Sequence, residues 1–218
     1  MTILTAPLVQ SARAQDTAVY LATYVEVMPN AIAGGAALLQ RHRDASRKAA
    51  GNLRFDAWQE IERPNRFVIV EAWQDKTAFD AHAGAVDALQ FRDKLRAIEI
   101  APADERINNA LYAGQARDES LAGAVYVVTH VDVIPSGKDA CMAALKAMSI
   151  DTPKDPGNIT YEVLQQANRG NHFTVVEAWM DHNALDAHAM AAHTRAFREK
   201  LTPLAGALYD ERFYKALE

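Results

Sequence analysis

Asn65-Arg-Phe-Val-Ile-Val-Glu-Ala-Trp73 returns 106 residues later as Asn171-His-Phe-Thr-Val-Val-Glu-Ala-Trp179. The same offset relates Asp80-Ala-His82-Ala83 to Asp186-Ala-His188-Ala189, Phe91-Arg92 to Phe197-Arg198, and Asp104-Glu-Arg106 to Asp210-Glu-Arg212. Upstream it relates Val19-Tyr20 to Val125-Tyr126, Pro29 to Pro135, and Gly51-Asn52 to Gly157-Asn158. The register runs without insertion from Val19 onward, and roughly 36 of 94 aligned positions are identical, so the chain is an internal duplication. It divides into a leader (residues 1–18), a first repeat (19–112), a linker (113–124) and a second repeat (125–218).

Each repeat carries one pattern. Val19 to Met28 is β-branched and aromatic, a strand closed by Pro29. Ala31 to Ala50 is rich in Ala and Leu, a helix ended at Gly51. Leu53 to Glu62 alternates apolar and polar residues, and Phe67 to Trp73 follows the turn Arg63-Pro64-Asn65, so the two form a hairpin. Asp75 is placed to N-cap a helix from about Lys76 to about Ile98, with a break expected near Gly84. Glu105 to Leu111 is a final strand. The order β-α-β-β-α-β is the ferredoxin-like unit of the α+β class. With both helices on one face of a four-stranded sheet, the other face stays apolar, and two copies can cover those faces against each other.

Composition narrows the function. The chain has 218 residues, half of them hydrophobic, and a formal net charge of −5. That disfavours nucleic acid held by phosphate neutralisation. The single cysteine, Cys141, rules out an internal disulfide framework and a Cys-rich metal site, and reads as a packed thiol. No apolar run approaches the roughly 18 residues of a membrane span. Ala12-Arg13-Ala14 before Gln15 has the form of a signal-peptidase site, but the preceding apolar stretch is short and lacks a basic start. Two readings stand: a cytoplasmic chain with an extension, or a periplasmic one if residues 1–14 end a signal peptide.

The motif Val70-Glu71-Ala72-Trp73, then Phe79-Asp80-Ala81-His82 and Phe91, with its second copy Val176-Glu177-Ala178-Trp179, Leu185-Asp186-Ala187-His188, His193 and Phe197, resembles the antibiotic biosynthesis monooxygenase family of dimeric α+β barrels. The resemblance covers nearly all of both repeats. It implies tandem ferredoxin-like repeats that pair their antiparallel sheets as a pseudo-dimeric α+β barrel within one chain, with a swapped homodimer as the alternative. It further implies a cofactor-free oxygenase of quinols or phenols. Other members of the family degrade haem or have no known activity. The second-helix histidine of quinol-oxygenase-like members matches His193, where the first repeat has Asp87. The positions matching haem-degrading members hold Tyr24 and His130, His82 and His188, and Phe91 and Phe197. No axial histidine stands among them, which counts against haem degradation.

No Gly-rich phosphate loop is present, so a dinucleotide site has no support in the sequence. Without a cofactor the substrate must itself supply electrons to O₂, which a phenol does best as its anion. Such chemistry asks for a base, for donors around the phenolate, and for an apolar pocket. The candidate bases are His188, His193, His130 and His82, and the candidate substrate contacts are Tyr24, Trp73, Trp179, Phe91 and Phe197. The second repeat is the more complete site, with His130, His188 and His193 against Tyr24, His82 and Asp87 in the first. His188 and His193 are five residues apart, about 140° on a continuous helix, so no metal site is expected of them; only a break near Met190-Ala191 would turn both into one pocket. Alternation puts His130 on one strand face with Tyr126, Val128 and Asp132. The tryptophans suit core packing as well as substrate contact, and Glu71 and Glu177 need partners, for which Arg92, Arg198, Arg106 and Arg212 are candidates. Trp58 has no counterpart in the second repeat. The charge run Arg41 to Lys48 reads as a solvated helix face. A non-catalytic ligand-binding barrel is the competing function, and a haem-handling protein a third.

Overall fold

The computed structural model describes residues 17–114 and 123–217. The leader cleavage motif and most of the linker lie outside the described residues. The first repeat runs β1 (Val19–Glu26), α1 (Ile32–Ser46), β2 (Asn52–Glu60), β3 (Arg66–Trp73), α2 (Lys76–Ala83), α3 (Val86–Arg96) and β4 (Asp104–Tyr112). The second runs β5 (Val125–Asp132), α4 (Lys138–Asp151), β6 (Asn158–Gln166), β7 (His172–Trp179), α5 (His182–Met190), α6 (Ala192–Leu201) and β8 (Asp210–Ala216). This is the expected order, with the second helix of each repeat split in two. Asp75 and Asp181 cap α2 and α5, each carboxylate accepting from a backbone N–H at 2.8 Å. Gly51 and Gly157 enter β2 and β6 with positive φ, where a Cβ would come within 2.5 Å of Ala78 or Ala184, so only glycine fits.

All strand pairs are antiparallel, and the order β1-β3-β2-β8-β5-β7-β6-β4 closes into a barrel. The last strand of each repeat makes the closure: β4 pairs with β6, and β8 with β2. The repeats therefore pair within the chain, as a pseudo-dimeric α+β barrel. Closure leaves no free sheet edge.

Each strand serves two layers, which is why Phe67 to Val70 reads as an unbroken apolar run. Tyr20, Trp58, Val68, Val70, Tyr126 and Val176 fill the barrel. Leu21, Phe67, Ile69 and Trp73 face outward under α1 and α3, and Val131, Phe173 and Val175 do the same under α4 and α6. Cys141 is fully buried among them, as a packed thiol should be. Trp58, the residue without a counterpart, stacks on Tyr126 of the other repeat at 4.4 Å. Among the described residues no helix is long and apolar enough to cross a membrane.

The run Arg41 to Lys48 is not simply a solvated face. His42 stacks on Phe91 at 3.8 Å, and Arg43 donates to the Leu217 carbonyl at 2.8 Å, tying the end of the second repeat to the helix layer of the first. Arg47 bonds the Phe55 carbonyl and Asp56.

One charged cluster sits inside the barrel across the repeats. Arg54 bonds Asp56 at 2.6 Å and ion-pairs with the buried Glu162. Removing one partner of such a pair strands the other charge. Arg54→Ala is expected to cost about 3–5 kcal/mol in chemical denaturation, with much of the loss recovered by adding Glu162→Gln. A wild-type midpoint for the single variant would show that the cluster contributes no more than a surface pair.

Candidate active site

Among the cavities of the described residues, two occupy matching places between helices and barrel, one in each repeat. The second-repeat cavity has a volume of about 350 Å³, the first about 250 Å³. They share a plan. The strand ending in Glu-Ala-Trp puts Glu177 and Trp179, or Glu71 and Trp73, on the outward face. The indole N–H donates to its own strand's carboxylate, Trp179 to Glu177 at 2.9 Å and Trp73 to Glu71 at 2.7 Å. The tryptophans are fully buried and line neither cavity, and each holds a glutamate in place. Phe197 and Phe91 do line the cavities.

Burial lifts both carboxyls to about 7, against the opposing indole hydrogen bonds. Among the described residues neither has an ion-paired arginine. Arg198 donates to the Ala189 carbonyl at 3.5 Å and Arg92 to Ala83, each tying the two pieces of the split helix together while lining its cavity. Arg106 and Arg212 pair instead with Asp104 and Asp210 of their own strands, at 2.7 and 2.6 Å.

His188, on α5, is buried on the cavity wall with its ring against Trp179 at 4.6 Å. Its Nδ1 lies 2.7 Å from Asp155 Oδ2, and its Nε2 is 3.9 Å from Glu177, also a wall residue. Burial lowers its pKa, opposed by the bond to Asp155. Asp155 follows the single 3₁₀ turn Thr152–Lys154 that ends α4. Ala191 is extended (φ −62°, ψ 149°), and this one residue breaks the helix. His188 and His193 therefore converge, with ring centroids 5.4 Å apart and His193 Nε2 3.1 Å from the same Asp155 oxygen. The expectation that they diverge, and with it the exclusion of a shared ligand set, fails because the helix is not continuous.

In the first repeat His82 stacks on Trp73 at 4.4 Å, but Ala49 stands where the second repeat has Asp155. His82 Nε2 meets Ser46, at 3.4 Å. His42, missed in the sequence, shares this cavity, and burial lowers it to about 3.

His130 lines not the His188 cavity but a neighbouring one of about 360 Å³, which shares Arg198 and Tyr209 with it. It pairs with Thr174 inside the barrel, on the opposite sheet face from Glu177. There its ring meets Tyr24 edge-on at 5.1 Å and Arg106 at 3.2 Å, and burial first, then Arg106, lowers it to about 4. Tyr24 lies between Arg106 and Arg212 in the same interior cluster and lines neither of the two matching cavities. Alternation had already placed His130 with Tyr126 and Val128, and a polar residue within that face made it a candidate. Asp155 and Tyr209 were missed as site residues. The only signal was divergence between repeats, with Asp155 opposite Ala49 and Tyr209 opposite Ala103.

Glu71 binds its proton more tightly folded than unfolded. Stability should therefore fall as pH rises from about 4.5 to about 7 and stay low above. Glu71→Gln keeps an acceptor for Trp73 and removes this cost. It is expected to stabilise the protein by on the order of 2 kcal/mol at pH 8 and not at pH 4.5, measured by chemical denaturation. Equal effects at both pH values would contradict a protonation origin.

The family profile described as antibiotic biosynthesis monooxygenase matches residues 18–94 and again 124–200. No curated protein matches by sequence. Among solved structures, a provisionally named monooxygenase of Fusobacterium nucleatum superposes with a TM-score of 0.85 at 15% identity, covering 93% of each chain. One from Lactobacillus acidophilus gives 0.76 at 15% identity, covering 91% of this chain and 93% of that one. An anthrone oxidase-like protein gives 0.70 at 14%, covering 94% and 93%. At such identities the structural likeness concerns the fold. The two profile matches together span well over half the sequence, and the chain belongs to the antibiotic biosynthesis monooxygenase family as a tandem pair of its domains.

Proposed function

We propose that the chain is a cofactor-independent monooxygenase that oxidises an electron-rich phenol or quinol with O₂ in the second-repeat cavity. The observation that carries this reading is His188 on the wall of a cavity of about 350 Å³, with Asp155 behind it on Nδ1. A carboxylate on Nδ1 holds a neutral imidazole in the tautomer whose Nε2 accepts a proton. That nitrogen is turned toward Glu177, on the side where a substrate would lie.

The phenol O–H gives its proton to His188 Nε2, and the phenolate passes an electron to O₂. The radical and superoxide join as a carbon–oxygen bond, and His188 returns the proton to the peroxide. The hydroperoxide then loses water as the C–H bond at that carbon breaks, leaving a quinone carbonyl. Phenol plus O₂ becomes quinone plus water. Arg198, on the cavity wall, faces the negative charge that develops along the way. Phe197 and Leu185 supply apolar wall for the ring.

The first-repeat cavity supports a second reading for that half, ligand holding without turnover. Among the described residues its His82 has no carboxylate partner, and burial lowers the pKa of both its histidines.

Oxygen uptake with a panel of quinols and anthrone-type phenols tests the proposal. His188→Ala is expected to lower the rate by roughly 10²- to 10⁴-fold, and Asp155→Asn by a similar order. His82→Ala should leave most of the rate. No uptake with any member of the panel, or an unchanged His188→Ala rate, rules the reading out.

A further inference from the structure

We propose that Asp155, His188 and His193 form a binding site for a divalent first-row transition-metal ion, built into the second repeat alone. Their ligand atoms lie within 4.8 Å of one another. Two imidazoles and a carboxylate are a donor set that such ions favour, and three protein ligands leave further positions open. Metal–ligand bonds of about 2.0–2.2 Å set tetrahedral ligand atoms roughly 3.3–3.5 Å apart, within reach of small side-chain rotations here.

The local hydrogen bonding points the same way. Asp155 Oδ2 spans both rings, 2.7 Å from His188 Nδ1 and 3.1 Å from His193 Nε2. The first contact is a hydrogen bond. The second is out of line for one, so His193 Nε2 is buried with no hydrogen-bond partner. Such a nitrogen is costly to leave unpaired. A cation among the three atoms gives each of them a partner. Glu177 lies beyond the far nitrogen of His188, the place where a metal-bound imidazole commonly meets a carboxylate that orients it. The first repeat provides an internal contrast, since Ala49, His82 and Asp87 occupy the three matching positions and Ala49 offers no ligand.

Binding stands on this geometry alone; its effect on turnover rests on His188 being the proton acceptor. A metal on Nδ1 leaves the proton of the neutral imidazole on Nε2, so the loaded protein cannot take a proton from substrate. Occupancy of the metal site and turnover then exclude each other, and the ion acts as an inhibitor of the same site.

Chelator-treated full-length protein titrated with Co²⁺ tests the site. The expected result is a set of visible d–d bands that saturates at one equivalent per chain and disappears on adding Zn²⁺. His193→Ala and Asp155→Ala should abolish the bands, while His82→Ala should retain them, with circular dichroism verifying the fold of each. His193→Gln, a milder change at a partly exposed position, guards against a folding defect. No saturable binding, or equal binding by wild type and the His193 variants, overturns the proposal. Added Zn²⁺ should also suppress oxygen uptake by the wild type; uptake that continues with the Co²⁺ site demonstrably filled overturns the inhibitory role. Should no phenol be oxidised at all, the function proposed above fails, and the cobalt spectrum still decides the metal site.

Discussion

Backbone hydrogen bonds from β4 to β6 and from β8 to β2 close eight strands into one barrel, and the remaining structure depends on that closure. Each four-stranded half has two apolar faces and helices for only one of them. Closing the ring covers the second face of both halves at once and removes every sheet edge. It also forces polar groups together inside, where Arg54 meets Asp56 and Glu162 from different repeats, and Tyr24 lies between Arg106 and Arg212. Arg54, Asp56 and Glu162 satisfy one another there, while the Tyr24 hydroxyl is buried without a hydrogen-bond partner.

In the outer layer the duplication shows what has been kept and what has diverged. Both repeats retain the tryptophan that donates to a buried glutamate, the histidine stacked on that tryptophan, and the arginine that ties the split helix. The difference lies around the histidine. The second repeat adds Asp155, His193 and Tyr209 where the first has Ala49, Asp87 and Ala103. His42, standing opposite Met148, fills part of the first cavity and stacks on Phe91. One copy thus surrounds its imidazole with an orienting carboxylate, and the other surrounds it with aromatic rings.

The same Asp155 oxygen reaches two histidines, and this ties the proposed base to the proposed metal site. With a proton on Nδ1, His188 is oriented for proton transfer by a carboxylate. With a metal on Nδ1, the same contacts hold a ligand. The two states use one set of side chains and differ only in which cation sits among them.

The sequence by itself determined the duplication, the β-α-β-β-α-β order, the caps at Asp75 and Asp181, and the faces of each strand. These follow from one-dimensional signals: a repeated register, a period of two or 3.6, and turn residues whose chemistry is local. It also pointed to His82, His188, Phe91 and Phe197, since position on an element carries over between copies. Tertiary structure decided the rest. His130 and His188 are close in kind but lie on opposite faces of the sheet, a separation that appears only once β5 is paired with β7. Trp73 and Trp179 became supports for glutamates because an indole N–H two residues along the same strand face reaches the carboxylate. The meeting of Asp155, His188 and His193 needed two events that no periodicity encodes: an extended ψ at Ala191, and the return of the chain after α4 through one 3₁₀ turn. Sequence reading could name a break near Met190-Ala191 only as a condition, so the site could be read only from the structure.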